Sequence, residues 1–129
     1  MNDKFYVSYE AARLLKEKGY DRDVRKFYDE DGLLLEVEGF YNFEYLTNEE
    51  LDNNHVAAPT KAEAIDWLDS KGIYIELMFN FEPSIKDHEV LWCYVVYNKI
   101  ERCGYKENYI FHTRLEAEEA AIIRALELL

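Results

Sequence analysis

One stretch, residues 58–79, decides the fold and reads APTKAEAIDWLDSKGIYIELMF. The Thr60 hydroxyl can accept a hydrogen bond from the backbone N–H of Glu63, and the Glu63 carboxylate can reach back to the N–H of Thr60. This reciprocal pair is a capping box, which begins a helix. Gly72 can adopt the left-handed conformation that ends one. From Ile73 to Phe79 strongly apolar residues alternate with mixed ones, so a strand should follow the helix directly.

Two more helices and several strands are predicted around this unit. Ser8 is a suitable N-cap for a helix from Tyr9 to Lys18, and Thr113 with Glu116 forms a second capping box before the final helix. The predicted strands outside the central unit are Val24–Asp29, Leu33–Glu38, Val90–Tyr97 and Tyr109–Phe111. Because few connections are long enough for crossovers, the strands should pair mainly in antiparallel fashion.

The predicted fold is therefore α+β, in a single domain over residues 1–129. It has three helices, largely on one face of a mainly antiparallel sheet of about four to five strands. The order along the chain is αββαββ(β)α. Residues 39–58 are the least regular stretch, and two interpretations of them stay open: a functional loop or a mobile edge.

Composition narrows the classes of function. Hydrophobic residues make up 49% of the chain and aromatic residues 16%, enough for a real core. The net charge of −12, from 27 acidic and 15 basic residues, repels nucleic-acid phosphates and anionic lipids. We therefore expect no direct nucleic-acid or membrane partner. An acidic surface does suit a basic protein partner, or a protein that imitates DNA.

The cellular location is expected to be cytoplasmic. No positively charged segment followed by an apolar run begins the chain, and no window approaches the ~20 apolar residues of a membrane span. The two cysteines, Cys93 and Cys103, do not make a disulfide framework.

No catalytic, cofactor or metal signature emerges from the residue spacing. The histidines His55, His88 and His112 have no Cys or His partner at ligand spacing, and Asp87-His88-Glu89 is at most a weak metal ligand set. Residues 27–38 approach a calcium-loop pattern, but Phe27 stands at its first ligand position and the flanks read as strands. A hairpin turn explains the same residues. We predict no catalytic residue, no metal and no cofactor.

A contact surface is the remaining candidate site. If the helices cover the face of the strand that carries Ile73 and Ile75, the opposite face presents Tyr74, Glu76 and Met78. On the neighbouring strand Trp92 and Tyr94, or the residues that alternate with them, would lie beside these side chains. Aromatic residues of the 39–58 segment either join the contact or fold over the sheet. The candidate binding residues are Tyr74, Met78, Trp92, Tyr94, Phe40 and Tyr41.

Three stretches together carry a family resemblance. They are residues 7–20 (VSYEAARLLKEKGY), residues 58–68 (APTKAEAIDWL) and residues 113–121 (TRLEAEEAA). Their order resembles a family of small, acidic, uncharacterised proteins from bacteriophages and prophages of gut anaerobes. The final helix departs from that family's usual Thr-Tyr-Glu-Glu opening, and residues 39–57 lie outside the resemblance. It implies a phage-accessory context and assigns no functional residue.

The sequence therefore predicts a phage or prophage accessory protein that acts by protein–protein contact. The contact would use a sheet face or the 39–58 loop, with a protein partner or with a second copy of the chain as a homodimer. One alternative is an acidic DNA mimic that inhibits a host nuclease or DNA-binding protein. A second alternative is a small ligand-binding domain or enzyme, which would require a pocket with converging polar groups.

Overall fold

The computed structural model of the chain describes residues 3–80, 91–106 and 110–129. The chain forms two compact units, unit 1 over Met1–Ala64 and unit 2 over Ile65–Leu129. The described residues form four α-helices and two antiparallel sheets of three strands each. The α+β class and the antiparallel pairing are confirmed, but the strands divide between two sheets. The single domain over residues 1–129 stays a prediction.

Unit 1 is built on a small sheet with strand order β2-β1-β3. A 3-10 helix over Asp3–Phe5 precedes its elements, which are α1 (Tyr9–Glu17), β1 (Lys26–Tyr28), β2 (Leu34–Glu36), α2 (Val37–Phe40) and β3 (Val56–Ala57). The side chains of Val7, Leu15 and Phe27 are fully buried and form part of its core.

Local signals begin and end the first helix, and the Ser8 cap acts as predicted. Ser8 Oγ accepts a hydrogen bond from the backbone N–H of Ala11 at 3.1 Å, which satisfies one of the free donors at the helix start. Gly19 has a φ of 89°, so the chain leaves the helix in the left-handed conformation.

The hairpin between β1 and β2 is shorter than predicted. The Asp29 carboxylate accepts hydrogen bonds from the backbone N–H groups of Asp31 and Leu33, both at 2.9 Å, so it closes a turn. This bonding agrees with a hairpin turn in place of a calcium loop. Predicted strand Leu33–Glu38 ends early, because the chain enters the four-residue helix α2 at Val37.

Residues 39–58 are tied into unit 1 by paired backbone and side-chain bonds. Leu46 forms an antiparallel bridge with Val24, with N–O distances of 2.9 and 3.1 Å. Asn48 accepts from the N–H of Ala57 at 2.8 Å and donates to the carbonyl of Tyr20 at 3.2 Å. The stretch also ends in β3, a strand that the sequence pattern does not predict because it has only two residues.

The capping box in the central stretch is confirmed. The Thr60 N–H donates to Glu63 Oε1 at 2.8 Å, and the Glu63 N–H donates to Thr60 Oγ1 at 3.2 Å. These two hydrogen bonds lie at the start of α3 (Lys61–Ser70). Gly72 follows with a φ of 89°, and β4 (Ile73–Asn80) starts at the next residue.

Unit 2 contains β4, β5 (Leu91–Asn98), β6 (Cys103–Lys106) and α4 (Arg114–Leu128), with strand order β4-β5-β6. Thr113 Oγ1 accepts from the N–H of Glu116 at 3.2 Å and so caps α4. This helix packs on β4 and β5, and its most buried residues are Ala117, Ala121, Ile122, Ala125 and Leu126.

Two predicted features fall partly or wholly outside the described residues. Of the predicted last strand, Tyr109 lies outside them, and Phe111 makes an isolated antiparallel bridge with Trp92. The predicted polar turn around Pro83 also lies outside them. Among the described residues, no helix has both the length and the apolar character that crossing a membrane requires.

Candidate functional site

The register between β4 and β5 decides which aromatic residues share a face. Tyr74 lies opposite Tyr97, and Met78 lies opposite Cys93, whereas Leu77 and Phe79 lie opposite Tyr94 and Trp92. Residues directly opposite each other in an antiparallel pair point to the same side of the sheet. Tyr74 and Met78 therefore share their face with the alternating set Cys93, Val95 and Tyr97.

Trp92 and Tyr94 lie on the other face, which α4 covers. The Arg114 guanidinium of α4 lies 6.0 Å from the centroid of the Trp92 ring, and only 6% of Tyr94 is exposed. The register thus corrects the grouping of the predicted contact residues. Of the two alternatives for β5, the structure selects the alternates of Trp92 and Tyr94 as neighbours of Tyr74 and Met78.

The face of the sheet opposite α4 presents a pair of exposed tyrosines at one end, whereas Cys93 and Val95 on the same face are buried. Tyr74 and Tyr97 are 44% and 38% exposed, and their ring centroids lie 6.1 Å apart with an angle of 27° between the ring planes. The Tyr97 ring lies against Gly104 of β6, where an added Cβ would approach the ring to 3.1 Å. Glycine at this position therefore leaves room for the ring. We call Tyr74, Tyr97 and Met78 the tyrosine face.

Polar and apolar groups lie beside the tyrosine face, at the turn between β5 and β6. Lys99 Nζ lies 5.8 Å from the centroid of the Tyr74 ring and forms an ion pair with Asp69. The next residue, Ile100, is 81% exposed. Aromatic side chains bordered by charged groups are typical of the centre and rim of a protein interface.

Phe40 and Tyr41, the other predicted contact residues, belong to a cluster around His55 in unit 1. His55 is only 5% exposed, and its ring lies 4.7 Å from that of Phe27 and 5.3 Å from that of Phe40, centroid to centroid. Tyr41 Oη lies 2.6 Å from His55 Nδ1. Phe40 itself stays 59% exposed, so it covers the imidazole while remaining a surface residue.

The partners around His55 favour one imidazole tautomer. Tyr41 Oη accepts from the N–H of Asp52 at 3.1 Å, and its own O–H can donate to His55 Nδ1. A ring proton on Nε2 would then face the Glu30 carboxylate, 3.7 Å away, which stabilises this tautomer. Burial raises the pKa of Tyr41, which keeps the phenol in the neutral form that donates.

The cluster also ties separate parts of unit 1 together. Lys16 Nζ, on α1, donates to the backbone carbonyls of Asn53 and His55 at 2.9 and 3.1 Å. The imidazole is buried and bonded to Tyr41 through Nδ1, so it is closed to a substrate and its arrangement is structural. Sequence reasoning missed it, because Tyr41 and His55 are 14 positions apart and match no motif.

Within the ranges 3–80, 91–106 and 110–129, no group of three or more His, Cys, Asp or Glu side chains is placed to hold a metal ion. The weak candidate Asp87-His88-Glu89 lies outside those ranges. His112 is exposed, just before the Thr113 cap.

Comparisons with protein families, with curated proteins and with solved structures return no match for this chain. The function proposed below therefore rests on the sequence pattern and on the geometry of the described residues.

Proposed function

We propose that this chain is an interaction protein, of the phage-accessory kind that the sequence resembles, and that it binds a protein partner through the tyrosine face. One observation carries the proposal: Tyr74 and Tyr97 lie side by side and half-exposed on the sheet face opposite α4. Tyrosine is enriched at interfaces because its ring supplies apolar contact area and its hydroxyl a hydrogen bond.

The partner is expected to be basic. The chain carries a net charge of −12, and Asp69 and Glu76 lie beside or within this face. An acidic protein attracts a positively charged surface and accelerates its association, whereas two copies of this chain repel each other. A heterologous partner with arginine or lysine side chains is therefore favoured over a homodimer. Arginine guanidinium groups also stack well on tyrosine rings.

The test is affinity capture from a lysate of a gut anaerobe, with three forms of the chain. We expect the wild-type chain and a Phe43→Glu control to retain the same basic protein, and a Tyr97→Glu variant to lose it. Phe43 is an exposed aromatic residue of unit 1, 63% exposed, so the control adds an identical charge at a residue that does not belong to the tyrosine face. Equal retention by both variants, or no retained protein, would contradict the proposal.

A DNA mimic is the second candidate, and the placement of cations favours it. Lys16 donates to backbone carbonyls, and so does Lys61 of α3, which donates to the carbonyl of Tyr6 at 3.0 Å. Bonds of this kind occupy donors of two cations on a chain whose acidic residues already outnumber its basic ones. The test is displacement of fluorescent duplex DNA from a non-specific DNA-binding protein. A DNA mimic displaces it with a strong salt dependence, and failure to displace it at low salt removes this candidate.

A further inference from the structure

An open groove runs between α4 and the strands β5 and β6 in unit 2. Its volume is about 780 Å³, within the range of pockets that hold small molecules. Tyr94 and Tyr105 border it from the strands, and Ala120 and Ile123 border it from the helix. This lining gives the groove aromatic and aliphatic surfaces on opposite sides, which suits a flat apolar ring.

A guanidinium group lies at the groove, although the chain as a whole is acidic. Arg124 of α4 lines it beside the carboxylate of Glu127, whereas Lys106 lies opposite Val95 in the register, which places its side chain on the tyrosine-face side of the sheet. The Arg124 guanidinium lies 5.4 Å from the centroid of the Tyr105 ring and 3.8 Å from Glu127 Oε1. In a chain with 27 acidic and 15 basic residues, this guanidinium beside an apolar lining is a group that can bind an anion.

Tyr105 is held in place on the strand side. Its hydroxyl lies 3.6 Å from the thiol sulfur of Cys103, and this contact raises the pKa of Tyr105. The phenol therefore stays neutral, so it adds no negative charge to the groove. Arg124 stacks on the same ring, which orients the guanidinium beside the aromatic surface.

We propose that this groove binds a small aromatic carboxylate. The aromatic ring of the ligand would lie between Tyr105 and Ile123, and its carboxylate would reach Arg124. Guanidinium groups match carboxylates in shape and bond them through two parallel N–H donors. This proposal is independent of the tyrosine face, which lies on the opposite side of the sheet.

The test uses 2-naphthoate, with 2-naphthalenemethanol as a neutral molecule of the same shape. Titration is followed by methyl NMR signals of Ile123 and Ala120 and by calorimetry. We expect 2-naphthoate to shift these signals saturably and the alcohol to bind at least about tenfold more weakly, because a charge-assisted hydrogen bond is lost. An Ile123→Trp variant, which fills the groove, should block both compounds.

Two charge variants keep the result decisive if the filled groove misfolds. Arg124→Gln should weaken 2-naphthoate binding about tenfold or more and leave the alcohol almost unchanged. Arg102→Gln, which removes a cation from the turn between β5 and β6 outside the groove, should change neither. Absence of saturable shifts at the two methyl groups, or equal effects of Arg124→Gln and Arg102→Gln, would overturn the proposal.

Discussion

The hydrogen bond between Tyr41 and His55 offers a quantitative test of how unit 1 is held together. Replacing Tyr41 by phenylalanine keeps the ring that lies 5.5 Å from Phe27 and removes the oxygen, which is bonded to His55 Nδ1 at 2.6 Å and accepts from the backbone N–H of Asp52 at 3.1 Å. His55 is 5% exposed, so water reaches the abandoned nitrogen poorly. A buried polar group without its partner costs about 1–3 kcal/mol, and we expect Tyr41→Phe to destabilise unit 1 by that amount.

Where the cost falls between about 1 and 3 kcal/mol depends on whether the His55 imidazole can find another hydrogen-bond partner. If the imidazole moves its proton to Nδ1, it can donate towards the Asp52 carboxylate, which lies 3.9 Å away. Relaxation of this kind lowers the cost towards ~1 kcal/mol, the value of an ordinary hydrogen bond. In the Tyr41→Phe background, an Asp52→Asn change should remove that charge-assisted acceptor. The double variant should therefore be less stable than Tyr41→Phe alone.

The measurement is amide hydrogen exchange in β1 and β3, because it reports the opening free energy of unit 1 residue by residue. Tyr45→Phe is the matched control, since the Tyr45 hydroxyl accepts from the Arg25 guanidinium, whose side chain is exposed. Surface changes of this kind usually stay within about 0.5 kcal/mol. If Tyr41→Phe and Tyr45→Phe have equal effects, the His55 cluster does not stabilise the unit as argued.

Three further predictions concern a helix cap, a left-handed glycine and the titration of Tyr41. Thr60→Ala removes a reciprocal helix cap and should destabilise α3 by about 0.5–2 kcal/mol, measured by urea denaturation, whereas equal stability would remove the capping argument. Gly72→Ala places a Cβ at a φ of 89° and should cost about 1–2 kcal/mol, while Gly39→Ala, in open space without a positive φ, should cost less. Because the pKa of Tyr41 is raised in the folded chain, the stability it contributes is complete below pH ~10 and lost as pH rises further. The Tyr41→Phe variant should therefore lose less stability than wild type between pH 9 and pH 11, and parallel curves would refute that sign.

Parts of the contact surface were predictable, and parts were not. The alternation along β4 correctly separates Tyr74 and Met78 from Ile73 and Ile75, since side chains on a strand alternate with a period of two. The same rule groups Trp92 with Tyr94 but leaves open which face they take. That choice depends on the pairing register, and a shift of one residue would exchange the two faces of β5.

The helix starts, the left-handed stops and the alternating strands were determined by the sequence alone, because each depends on groups within a few residues of one another. Ser8, Thr60, Gly72 and Thr113 all act in the structure as their neighbours in the chain predict. The division of the strands into two sheets and the bonding of His55 were decided only by tertiary structure. They depend on contacts between distant positions, which local hydrogen bonds and conformational preferences do not specify.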